Sequence, residues 1–166
     1  MRVYLLLILL ALFVTFSPIS SHRVQADEPE IFVDVSQSVG INATHRASWN
    51  EFSQVTPFTD GYLGVGQAWG DYDNDGWVDL YVTGNLDQNH LYKNLGDGTF
   101  QLSNLSSSVS IPDIPSGGAV WSDYDNDGWR DLYVLNHGAN VLFRNIEGNA
   151  FEDVTAYAGI GDTGKG

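Results

Sequence analysis

Asp71-Tyr-Asp-Asn-Asp-Gly-Trp-Val-Asp79 and Asp123-Tyr-Asp-Asn-Asp-Gly-Trp-Arg-Asp131 are two copies of one nine-residue stretch, 52 residues apart. Each places Asp at positions 1, 3, 5 and 9 and Gly at position 6. In a tightly curled loop alternate residues point inward, so the carboxylates at 1, 3 and 5 converge. Gly76 and Gly128 permit the positive φ that such a curl requires. The next backbone carbonyl, of Trp77 or Trp129, can then turn to the same centre. Asp79 and Asp131 close the shell from the start of the following segment. Ca²⁺ takes about six to eight oxygen ligands and suits such a cage. Four carboxylates this close repel one another unless a cation stands among them. The expected ligands are therefore Asp71, Asp73, Asp75, the Trp77 carbonyl and Asp79 in the first loop. In the second they are Asp123, Asp125, Asp127, the Trp129 carbonyl and Asp131. About one Ca²⁺ is expected per loop; Mg²⁺ is the other hard cation, and a cage of several carboxylates favours Ca²⁺. A solvated Asp/Asn/Gly turn is the bland alternative, and two copies in full register weigh against it. An EF-hand needs Glu at position 12 and flanking helices. Position 12 here is Val82 or Val134, in a β-rich run.

Outward from the loops the repeat continues. Gly66 to Val82 aligns with Gly118 to Val134, and then Leu91-Tyr-Lys-Asn94 with Leu142-Phe-Arg-Asn145. Short β-forming pieces follow in the same order in both units: 64–70 or 117–122, 79–82 or 131–135, and 90–94 or 141–145. A turn comes next at Gly96-Asp-Gly98 or Glu147-Gly-Asn149, and Phe100 or Phe151 opens a last strand. Four short strands recurring at this period predict an all-β protein made of four-stranded antiparallel β-propeller blades. Two blades cannot close a ring, so a partial propeller is expected rather than a complete two-blade domain. Phe32-Val-Asp-Val-Ser36 repeats Phe151-Glu-Asp-Val-Thr155. Residues 27–41 are therefore expected to be an orphan strand that completes the last blade. Residues 42–63 read as a connecting loop, 64–115 as repeat 1, and 116–166 as repeat 2 with the start of another.

These motifs in this order resemble the calcium loops of FG-GAP and VCBS repeats, as in the integrin α-subunit propeller. The run from Gly70-Asp-Tyr through Leu-Tyr-Lys-Asn and Gly-Asp-Gly-Thr-Phe to Phe151-Glu-Asp-Val-Thr-Ala-Tyr-Ala-Gly-Ile160 is similar to FG-GAP proteins of the ASPIC/UnbV, cartilage acidic protein type. The resemblance spans about residues 30–166. It implies a secreted or surface seven-bladed propeller, often with a further C-terminal domain. Ser122 replaces Gly70 in the second unit, ahead of the ligands.

The first 26 residues read as an export signal: Arg2, an apolar run from Val3 to Phe16, and Val24-Gln-Ala26 before the expected cleavage. A retained signal anchor is the alternative. No Cys follows to carry lipid. Beyond residue 26 there are five basic and 21 acidic residues, a net charge of −16. That charge excludes nucleic acid and anionic membrane surfaces as natural partners. With no cysteine in the chain, bound metal is the expected brace for an exported fold. Asn42-Ala-Thr44 and Asn104-Leu-Ser106 are glycosylation sequons. The localisation expected is secreted or extracytoplasmic, with an extracellular protein or glycan as partner.

Trp69 and Trp121 are expected in the blade core. Trp77 and Trp129 are expected to cover the ion or pack between blades. Lys93 and Arg144, equivalent in the repeat, are read onto an exposed strand face. His45, His90 and His137 fall at different repeat positions, so no zinc site is expected. Every loop acid has a ligand role and neither loop has a unique nucleophile beside it. The function expected is thus a non-catalytic calcium-binding module for adhesion or recognition. The alternative is the scaffold of a larger exported hydrolase whose catalytic domain follows residue 166.

Overall fold

Each acidic loop feeds directly into a short strand, and each such strand is the second of four. The computed structural model describes residues 32–45, 66–111 and 114–161. The predicted signal, nearly all of the predicted connecting loop and residues 162–166 lie outside them. Contacts divide the chain between Val33 and Asp34, and all that follows concerns the unit from Asp34 onward. Its first sheet comprises β1 (Gln67–Gly70), β2 (Asp79–Val82), β3 (His90–Asn94) and β4 (Phe100–Leu102). The second comprises β5 (Ser116–Ser122), β6 (Asp131–Asn136), β7 (Val141–Ile146) and β8 (Ala150–Asp153). Both are antiparallel meanders in sequence order, the arrangement expected of propeller blades. The registers correspond: Trp69 faces Leu80 and Leu80 faces Tyr92, as Trp121 faces Leu132 and Leu132 faces Phe143. Helix among the described residues is confined to a 3₁₀ turn at Ser106–Ser108 and α1, Thr155–Ala158. No described helix is long and apolar enough to cross a membrane.

The sheets stack through opposite faces. Side chains alternate across a strand, so Ala68 and Trp69 point to opposite sides of β1. Ala68 packs toward the second sheet in a shared core with Tyr72, Tyr81, Leu91, Val109, Ile111 and Trp121. Trp121 supplies the other side. Its ring stacks on Tyr72 at 6.4 Å, meets Tyr81 edge-on at 6.4 Å, and its Nε1 donates to the Ala68 carbonyl at 3.3 Å. Gly70 is small for a reason: a Cβ there would lie 2.7 Å from Trp121 Cγ. Ser122, at the equivalent place, is exposed, which accounts for the tolerated exchange. Gly66 allows the inner strands to meet, since its Cβ would fall 2.3 Å from Gly118 Cα. At the strand ends away from the acidic loops, Asn89 Nδ2 donates to Ser116 Oγ at 2.9 Å. Ser116 Oγ in turn donates to Asn136 Oδ1 at 2.8 Å. These three side chains are buried and satisfy one another.

One expectation changes here. Trp121 is buried, but Trp69 is 50% exposed, because no ring-covering sheet stands on its side among the described residues; it meets Phe100 edge-on at 6.0 Å. In the predicted orphan strand, Asp34 and Val35 pair with no strand and residues 36–40 form a turn. The local chemistry of the repeat is nonetheless kept. Ser36 N donates to Asp34 Oδ1 at 2.9 Å as Thr155 N does to Asp153 Oδ1 at 3.0 Å. Both stretches end on a left-handed glycine, Gly40 and Gly159.

Candidate metal centre

The two loops are built by their own carboxylates. Asp71 accepts from Asp75 N at 3.2 Å and Gly76 N at 3.0 Å, one oxygen each. Asp123 accepts from Asp127 N at 3.1 Å and Gly128 N at 3.0 Å in the same way. Asp75 and Asp127 each accept from the following Trp N–H at 2.9 Å. The curl is completed by left-handed residues: Asn74 and Asn126 at φ 55° and 59°, and Gly76 and Gly128 both at 91°. Asn visits that region more easily than most residues, and Gly does so freely.

The ninth residue ties the loop to its sheet. Asp79 Oδ2 accepts from Tyr72 N at 3.1 Å and Oδ1 from Asn94 N at 2.8 Å. Asp131 accepts from Tyr124 N at 3.0 Å and Asn145 N at 2.8 Å. Each therefore latches the loop entrance to the third strand of its sheet. Both are buried, and burial pushes their carboxyl groups upward, Asp79 to about 6. The amides they accept from oppose that shift, and the other loop acids add to it.

Asp71, Asp73 and Asp79 present one oxygen each within 4.8 Å of one another, and so do Asp123, Asp125 and Asp127. Asp75 and Asp131 are outside these triplets: Asp75 turns to Trp77 N and Lys93, and Asp131 to its two amides. The Trp77 ring lies over Gly96 and the Trp129 ring against Gly148, so each packs on the turn after the third strand of its own sheet.

Two basic residues enter the sites. Lys93 Nζ hydrogen-bonds Asp73 and lies 2.9 Å from Asp75. Arg144 Nε lies 2.9 Å from Asp125 and its Nη2 3.6 Å from Asp127. The hydrogen bonds to Asp73 and then Asp75 raise the Lys93 pKa, and Lys93 holds the Asp75 carboxyl below its usual range. The charge on Asp125 raises Arg144. These side chains are partly exposed, as read from the strand pattern, but they turn onto the acids. Their shared repeat position was the available signal. With Lys93 the first loop is formally at −3, and with Arg130 and Arg144 the second is at −2. Asp73 Oδ1, moreover, is buried without a hydrogen-bond partner. Such an oxygen is costly unless a ligand meets it. The all-oxygen donor set, its excess negative charge and this orphaned atom fit a hard divalent cation.

A family model described as FG-GAP-like repeat matches residues 71–122, from the first acid of the first loop to the end of β5. No curated protein and no solved structure matches the chain.

Proposed function

We propose that the protein is a secreted or cell-surface calcium-binding propeller module of the FG-GAP kind, non-catalytic, that presents its surface for adhesion or for recognition of an extracellular protein or glycan. The reading is carried by the repetition of one acidic loop, fold for fold, at the same place in two stacked sheets. A catalytic centre is a single constellation with distinct roles; here each role occurs twice. The match to an FG-GAP-like repeat from the first loop through β5 supports the same assignment. The finer ASPIC/UnbV resemblance and a seven-bladed ring belong to this proposal. So do export by residues 1–26 and ligation by the Trp77 and Trp129 carbonyls.

In each loop the acids at positions 1, 3 and 5 would hold Ca²⁺, and the ninth would complete the set while keeping its latch to the backbone. The ion would supply the positive charge that one Lys or Arg does not. Lys93 and Arg144 would give up part of their contact with the acids. The expected result is a brace: with the loop fixed, the second strand, the third strand and the turn beyond it are held together. Thermal unfolding of the purified protein in millimolar Ca²⁺ should occur at a clearly higher temperature than in excess chelator. Coincident curves would sink the assignment.

A further inference from the structure

The two acidic loops touch through contacts that start on one and end on the other. Asn145 is fully buried. Its backbone N–H donates to Asp131, in the second loop, at 2.8 Å. Its side-chain Nδ2 donates to the Arg130 carbonyl at 2.9 Å and, across the sheet boundary, to the Tyr72 carbonyl at 2.7 Å. Tyr72 stands between the ligands Asp71 and Asp73 of the first loop. A second strut runs alongside. Asn74 Nδ2, in the first loop, donates to the Gly128 carbonyl of the second at 3.2 Å, and Gly128 N is held by Asp123 at 3.0 Å. Gly148 completes the contact, since a Cβ on it would lie 3.0 Å from Asp73 Cα.

We propose that Asn145, seconded by Asn74, couples the two metal sites so that Ca²⁺ binds to them with positive cooperativity. This rests on the metal-site reading above. Metal at the second loop would fix Asp131 and Gly128. Asp131 fixes the Asn145 backbone, and Asn145 then holds the Tyr72 carbonyl where Asp71 and Asp73 need it. The first loop would therefore lose less conformational freedom when its own ion arrives. Coupling of this kind is reciprocal, so each site helps the other by the same factor. Asn145 is a positioning residue: its side chain makes no carboxylate contact of its own. Asn94, its equivalent in the first sheet, shares the backbone bond, to Asp79 at 2.8 Å, and a bond to the Val78 carbonyl at 3.0 Å. The bond across the boundary is what Asn145 adds.

The test is calorimetric titration of the full chain with Ca²⁺ alone, using Asp73→Asn and Asp125→Asn to isolate each site. In the otherwise native protein, disabling either loop should weaken binding at the other about fivefold or more, by the same factor in both directions. Asn145→Ala should bring that factor close to one. A purely structural role would lower melting temperature and both affinities but leave the factor intact. Should Asn145→Ala fail to fold, Asn74→Ala removes an exposed strut and should reduce the factor measurably. Two sites that bind independently in the native protein would overturn the coupling while keeping the metal reading, as would a factor unchanged in the Asn variants. Absence of any Ca²⁺ heat would overturn both.

Discussion

At the scale of single residues, the loop acids divide into two kinds that the repeat pattern writes with the same letter. Asp73 leaves an oxygen buried and unpartnered, whereas Asp79 spends both oxygens on backbone amides. The two should respond differently to the same exchange. Asp73→Asn removes charge from a crowded cluster; it should abolish or strongly weaken one Ca²⁺ site while costing less than about 1 kcal/mol of stability in chelator. Asp79→Asn turns an amide NH₂ toward a donor N–H, leaving a buried amide unpaired, and should cost about 1–3 kcal/mol even without metal. Denaturant unfolding of both variants in chelator checks this; equal losses would show that the ninth acid is not a latch. The clustering of the acids and the turn at the Gly of position 6 were legible in sequence, because a tight curl restricts residue type. The latch was not, because it depends on where Tyr72, Asn94 and their counterparts bring their N–H groups. Lys93 and Arg144 escaped for a related reason: strand alternation assigns a face but not the direction a long flexible side chain takes.

At the scale of strands and sheets, the readable part was local. Runs 79–82 and 90–94 are the strands β2 and β3 as read, since β-branched and aromatic residues bounded by turns leave little choice. What one sheet does to the next was hidden. Trp69 and Trp121 hold the same repeat position, yet one is 50% exposed and the other 9%. Burial is decided by which face meets a neighbour, and the repeat copies the residue without copying the neighbour. The consequence is measurable. Trp121→Ala opens the shared core and should cost about 3–5 kcal/mol. Trp69→Ala, at the same repeat position, should cost about 1 kcal/mol. Chemical denaturation of the two variants gives the comparison, and similar losses would mean that the sheets do not share a core through Trp121.

At the scale of the whole molecule, a chain with net charge −14 and no cysteine is held by a core that runs between two small sheets and by polar clips at both of their ends. The Asn89–Ser116–Asn136 chain needs no ion. The opposite end gathers eight loop acids onto two adjacent loops, with Lys93 and Arg144 turned onto them and Arg130 within the second loop. That asymmetry is the physical case for metal: one end is self-satisfied and the other carries unbalanced negative charge next to a buried orphan oxygen. The period and the loops made the repeated architecture legible from sequence. How the loops contact one another across the boundary was not legible, because Asn145 and Tyr72 are 73 residues apart and no pattern links them. The most direct measurement of the central claim is the number of Ca²⁺ ions bound per chain after exhaustive chelation and titration back. The account predicts two, falling to one in Asp73→Asn and one in Asp125→Asn. No bound ion in the native chain, or a count unchanged in both variants, would contradict it.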